Sequence, residues 1–144
     1  MKLLTLLLFT SLAPLIWSVN FKDAEEIAKK EHKMIFVNFS GSDWCGPCIR
    51  LRKEILESTT FEKYATDHLV LVRADFPRQK KNNLSKEQTK LNEQLADKYN
   101  PEGKFPFSLL LDEDGKIIKE WDGYPKETAD QFVEQINKVS VGRK

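Results

Sequence analysis

Residues 34–57 read "MIFVNFSGSDWCGPCIRLRKEILE", and this stretch decides the fold. Met34 to Phe39 is an apolar run of strand length, rich in Ile, Val and Phe, and it suits a strand buried on both faces. Helical spacing follows through Cys48, Leu51 and Ile55 to Glu57. Pro47 falls in the first turn of that helix, where a missing N–H costs nothing. The chain's 2 cysteines, Cys45 and Cys48, therefore stand together where a buried strand hands over to a helix.

That position carries chemistry. The first N–H groups of a helix are unsatisfied and bear partial positive charge. A thiolate at Cys45 gains from both, so its pKa is expected below that of a free thiol. Arg50, Arg52 and Lys53 add positive charge within two turns. Cys48 lies one turn in on the inward face, so it is expected to be less exposed and less acidic. Two-step exchange requires this asymmetry: Cys45 attacks as nucleophile and Cys48 resolves the mixed disulfide. A structural zinc site takes four Cys or His ligands, and beyond the pair only His32 and His68 remain. A copper(I) shuttle works with two thiolates, but Pro47 and the strand-to-helix setting suit exchange better. A static bridge closing so short a loop would restrain little of the unfolded chain. The pair reads as a redox centre, with no metal and no cofactor beyond its own disulfide.

Outward from the motif, elements of both kinds alternate. Asp23 to Glu31 reads as a short helix with Ile27 and Ala28 facing inward. Phe61, Tyr64 and Ala65 add a helical turn or two, and Leu69 to Phe76 is a second buried strand. Residues 77–90 form a polar, basic loop leading into a helix that continues on Leu91, Leu95, Ala96 to Tyr99. Phe107 to Leu111 and Lys116 to Trp121 flank an Asp-Gly turn, a hairpin signal. Glu127 to Val139 closes the chain as an amphipathic helix. The order α-β-α-β-α-β-β-α implies an α/β fold with a mixed central sheet flanked by helices.

Met1-Lys2 is a short basic start, and Leu3 to Ile16 is almost wholly apolar, with small Ser18 after it. This pattern reads as a signal peptide over 1–18, leaving a domain over 19–144. The apolar stretch falls short of the ~20 residues needed to span a bilayer, which argues against stable membrane insertion after cleavage. The full chain carries 23 basic and 22 acidic residues. Near-neutral charge disfavours nucleic acid or an anionic membrane face as partner. Disulfide-stapled secreted scaffolds use four or more cysteines, so 2 in one motif again read as chemistry.

"WCGPC" at 44–48, after "IFVNF" and before a basic amphipathic helix, closely resembles the thioredoxin active site, and the resemblance runs over about residues 23–140. It implies a thioredoxin-like fold with an added N-terminal helix and an enlarged loop and helix before a cis-proline. It makes Cys45 the nucleophile and Cys48 the resolving thiol, with Trp44 shielding the disulfide and Gly46-Pro47 tuning it. It also implies that Pro106 is cis, that Phe105 shapes the place where substrate backbone docks, and that Gly123 lines the same groove. Two departures stand out. Where thioredoxins bury an aspartate as proton acceptor, this chain has Asn38, one residue further from the motif. Also, 31 residues separate Asp75 from Pro106, about twice the interval in thioredoxins. The excess carries Arg78, Lys80, Lys81, Lys86 and Lys90, and reads either as a solvated loop or as a docking surface.

Thioredoxin's couple lies near −270 mV and strong oxidants lie near −120 mV. The resemblance thus implies a disulfide reductase, similar to exported thioredoxin-like reductases of the periplasm, acting on exported disulfide-containing proteins. A membrane thiol reductase would supply its electrons. The alternatives are an isomerase or oxidase of the same fold, a non-catalytic binding or chaperone module, and a copper-handling module. A monomer is expected, since no residues remain to build a dimerisation domain. A secreted or signal-anchored form is the alternative location.

Overall fold

The computed structural model describes residues 14–142. A five-stranded sheet runs in the order β1-β3-β2-β4-β5. Its strands are β1 (Trp17–Ser18), β2 (Met34–Ser40), β3 (Leu69–Asp75), β4 (Phe107–Leu111) and β5 (Ile117–Asp122). The first three are mutually parallel, β4 runs antiparallel to β2, and β5 closes the hairpin. Helices α1 (Phe21–Glu31), α2 (Gly46–Leu51), α3 (Thr59–His68), α4 (Lys86–Tyr99) and α5 (Ala129–Val141) cover both faces. The mixed sheet flanked by helices is the expected thioredoxin-like architecture.

Strand β2 sits at the centre, and its alternation builds two cores. Ile35, Val37 and Phe39 face one way, onto Ala24 and Ala28 of α1 and Leu95 and Tyr99 of α4. Phe36 faces the other way, onto residues of α2, α3 and α5. Its ring meets Phe61, Phe132, Trp121 and Trp17 at centroid distances of 5.4, 6.0, 6.1 and 6.2 Å. Truncating a fully buried Phe with four aromatic neighbours costs about 3–5 kcal/mol, a large fraction of a domain's net stability of about 5–15 kcal/mol.

Several expectations change. In α1 the buried residues are Ala24 and Ala28, while Ile27 is exposed. In α4 the buried face runs through Asn92, Leu95 and Tyr99, and Leu91 is exposed. Asn92 is tolerated inside because its side-chain amide donates to the carbonyl of Asp75 at 2.8 Å. The helix expected from Cys48 to Glu57 breaks after Leu51 into a wider π turn over Arg52–Leu56, where the Glu57 N–H donates to the Arg52 carbonyl at 2.8 Å. The extra residue in that turn lets adjacent Ile55 and Leu56 both face the core.

The sheet also takes in residues on the leader side of the expected boundary. Trp17 and Ser18 lie on the leader side of the boundary drawn after Ser18, yet they form β1, paired with Leu71 and Val72 of β3. Trp17 packs edge-on against Phe36, and the Arg73 guanidinium lies 4.0 Å from its ring centroid. Two residues are too few to show a strand period, so the element was invisible in the sequence. Of the leader reading over 1–18, residues 1–13 lie outside the described residues. Among the described residues, no helix is long and apolar enough to cross a membrane.

Candidate redox site

The site forms where β2 ends. Gly41 turns the chain and its carbonyl accepts from the N–H groups of Trp44 and Cys45, at 3.3 and 2.9 Å. That turn sets Cys45 at the N-cap of α2, with extended backbone and Pro47 in the first turn. Cys45 Sγ accepts from the backbone N–H of Cys48 at 3.3 Å, the capping geometry that a serine or aspartate hydroxyl or carboxylate oxygen would otherwise supply. Cys48 Sγ accepts from the N–H of Gly41 at 3.5 Å. The two cysteines are joined in a disulfide with Cα atoms 5.2 Å apart. Each sulfur thus faces a backbone donor, an arrangement that favours a thiolate once the bond is opened.

The expected difference in exposure is small in this oxidised form. Cys45 is 5% exposed and Cys48 3%. Gly46 and Pro47 are exposed, so the motif's surface is its central dipeptide rather than the leading sulfur. The cations expected to polarise the helix are partly engaged elsewhere. Arg50 Nε pairs with Glu54 at 2.9 Å and its guanidinium lies 4.3 Å from the Tyr124 ring centroid; Arg52 pairs with Glu57 at 3.7 Å. The Tyr124 hydroxyl donates to the same Glu54 carboxylate, which holds that carboxyl below its usual range, chiefly through Arg50.

The other residues named from the sequence are linked to one another and to Trp44. The Phe105–Pro106 peptide bond is cis, and the N–H of Gly123 donates to the Pro106 carbonyl at 2.9 Å. Gly123 has φ 81°, a left-handed conformation that glycine adopts without strain. Trp44 is half-buried; its indole N–H donates to the carbonyl of Phe76 at 2.7 Å, and its ring meets Phe105 at 5.5 Å. Phe105 also packs on Phe76 at 5.4 Å, so it joins the core to the Trp44 ring. Asn38 is 3% exposed and donates to Ser108 Oγ at 3.1 Å. By strand alternation it shares the face of Phe36, the side covered by α2. A neutral, hydrogen-bonded amide occupies β2 where a carboxylate was the family expectation.

Sequence reasoning missed the residues that tie this corner down. Ser42 donates through its N–H and hydroxyl to the Asp75 carboxylate, at 2.9 and 2.5 Å. The Asp43 carboxylate accepts from the N–H groups of Arg78 and Gln79, at 2.9 and 3.0 Å, and from the side-chain amide of Asn82 at 2.9 Å. The Gln79 amide returns a bond to the Asp43 carbonyl at 3.0 Å. The long segment after β3 is therefore clasped to the motif. An acid beside the Trp of the motif was the available signal, but its partners lie 35 to 39 residues away. Among the described residues, no group of three or more His, Cys, Asp or Glu is placed to hold a metal.

The profile of the thioredoxin-like domain family matches residues 21–140. The chain belongs to that family. This thioredoxin-like domain is 39% identical to the disulfide bond reductase DsbH of Chlamydia pneumoniae over 106 residues, 74% of this chain and 61% of that one. It is 37% identical over 62 residues to the thioredoxin-related protein DsbJ of the same organism, 43% of this chain and 18% of that one. The matches thus span less than two thirds of either relative's length. The solved structure of a DsbH oxidoreductase superposes with a TM-score of 0.79 at 32% identity, covering 88% of this chain and 85% of that one. A thioredoxin from Thermus thermophilus, at 15% identity and TM-score 0.66, shares the fold over 90% of this chain and 89% of its own.

Proposed function

We propose that this thioredoxin-like domain is a protein-disulfide reductase working through the Cys45–Cys48 dithiol. The observation that carries the reading is the pairing of these two sulfurs at the start of α2, each facing a backbone N–H donor. The similarity to DsbH, a disulfide bond reductase, supports the direction.

The chemistry balances as two exchanges. The Cys45 thiolate attacks one sulfur of a substrate disulfide, and the other substrate sulfur leaves as a thiolate and takes a proton. The Cys48 thiolate then attacks Cys45 Sγ, forms the internal disulfide, and releases the second substrate thiol. Two electrons pass from protein to substrate. The Gly41 N–H assists the second step by stabilising the Cys48 thiolate without a buried carboxylate nearby in β2. Asn38 cannot take the proton that an aspartate would have taken there, so that base is lost or its role passes to water.

A reducing couple near thioredoxin's −270 mV lies ~150 mV below strong oxidants, about 7 kcal/mol for two electrons. The leader-like residues before Pro14 support export to the periplasm, with exported disulfide-containing proteins as substrates and a membrane thiol reductase as donor. Processing that preserves the domain would leave Trp17 and Ser18 in place, because they belong to the sheet. The test is insulin reduction by the purified chain against Cys45→Ser, together with titration of the couple in glutathione or dithiothreitol buffers. Cys45-dependent turnover and a potential well below −200 mV are expected. A potential above about −150 mV would reverse the proposed direction.

A further inference from the structure

The segment 77–86, "PRQKKNNLSK", carries Arg78, Lys80, Lys81 and Lys86 and contains no acid. All four are exposed. Left to itself such a run would be a solvated loop. Here it is fastened to the active-site turn, because the Asp43 carboxylate spends its acceptor capacity on the segment's backbone and on Asn82 rather than on the cationic side chains. The basic groups thus remain available while their backbone is held.

The Arg78 side chain shows what the clasp achieves. Its guanidinium lies 3.6 Å from the centroid of the Trp44 ring, a stacked position within cation–π range. The indole is itself fixed by its bond to the Phe76 carbonyl and by the edge of Phe105. Arg78 forms no ion pair among the described residues, unlike Arg50 and Arg52 across α2. An unpaired, oriented guanidinium therefore sits on the residue that directly precedes Cys45. Behind it, Lys80 and Lys81 extend the same sign of charge along a single 3₁₀ turn.

We propose that the clasped 77–86 segment is an electropositive wall of the disulfide groove, and that Arg78 selects partner polypeptides with acidic side chains beside the disulfide to be reduced. The proposal rests on the reductase reading and deepens it by naming a substrate class. The chemistry is that of an exposed ion pair formed at the rim of an encounter complex, which raises the association rate and fades with salt.

The test uses the full chain and three synthetic disulfide peptides that differ only in the residues flanking one cysteine: Asp, Asn or Lys. The ratio of kcat/KM values between peptides is the readout, since partial loss of folded protein cancels in it. Wild type should favour the Asp peptide over the Lys peptide by about three- to fivefold at low ionic strength, the scale of an exposed pair. That ratio should fall towards one at 0.5 M salt. Arg78→Ala should lower the ratio, and Arg78→Glu should turn it towards the Lys peptide. Asp43→Ala, which releases the segment with its charges intact, should also lower the ratio, mainly through KM. A wild-type ratio near one, or an unchanged ratio in Arg78→Glu, overturns the selectivity while leaving Cys45-dependent reduction of the Asn peptide standing. Absence of any Cys45-dependent reduction overturns both readings together.

Discussion

The backbone N–H of Gly41 donates to Cys48 Sγ at 3.5 Å, while the carbonyl of the same residue accepts from Cys45 at 2.9 Å. One residue outside the Cys-x-x-Cys motif therefore touches both halves of it. Gly41 is also the floor for Trp44: a Cβ there would stand 2.6 Å from the indole Nε1 and closer still to its ring carbons. That same Nε1 is hydrogen-bonded to the Phe76 carbonyl, so a retreat of the ring strains or breaks this bond.

Gly41→Ala should displace that ring and loosen the Cys48 contact. Overpacking of this kind costs about 1–3 kcal/mol. A fall in urea midpoint and a changed Trp emission spectrum are expected, with a shifted reduction potential. Unchanged values on all three measurements would show that the turn accommodates a methyl group.

Asn38→Asp restores the acid that the family resemblance leads one to expect, at a position only 3% exposed. Burial favours the neutral form, so the carboxyl's folded-state pKa should rise above the unfolded ~3.9. The penalty relative to wild type is then absent below about pH 3.9 and grows as pH rises through the folded value. At pH 7 it should be on the order of 2 kcal/mol. Denaturation curves for both proteins at pH 4 and pH 7 read the difference directly. An equal gap at the two pH values counts against a buried, ionising carboxyl.

The Asp43 carboxyl is held below its usual range, first by the backbone N–H of Arg78 and then by the Asn82 amide. With a depressed folded pKa, the clasp's contribution is complete above the unfolded value and disappears as pH falls through the folded one. The amide resonances of Arg78 and Gln79 should titrate together with a midpoint below ~3.9. In Asp43→Asn that shared transition should vanish. A midpoint at or above the ordinary aspartate value would mean the bonds do not form in solution.

Chains beginning at Pro14 and at Val19 differ by β1. Trp17 is half-buried against Phe36 and stacked by Arg73, so removing it should lower stability by about 1–3 kcal/mol. Thermal or urea unfolding of the two proteins measures this. Equal midpoints would show that the strand adds nothing to the fold.

Short-range pattern was enough to recover most of the scaffold. The buried run at Met34–Phe39, the Asp-Gly hairpin and the closing amphipathic helix are written in consecutive residues, because strand alternation, turn chemistry and helical period act over fewer than about ten positions. The same holds for the position of Cys45: a strand, a Pro in the first turn and a second Cys three residues on place a sulfur at a helix start before any packing is known.

What the chain could not declare in one dimension are the pairings that fold over long distances. Trp17 joined the sheet only because β3, over 50 residues later, offered it an edge and Arg73 a lid. Ile27 and Leu91 look like core by spacing, yet which side of a helix is covered depends on the rotation at which it docks. Asp43 is a surface acid until the chain returns with Arg78, Gln79 and Asn82. Propensity and charge travel with a residue, whereas hydrogen-bond partners and shielding from water are properties of the assembled neighbourhood.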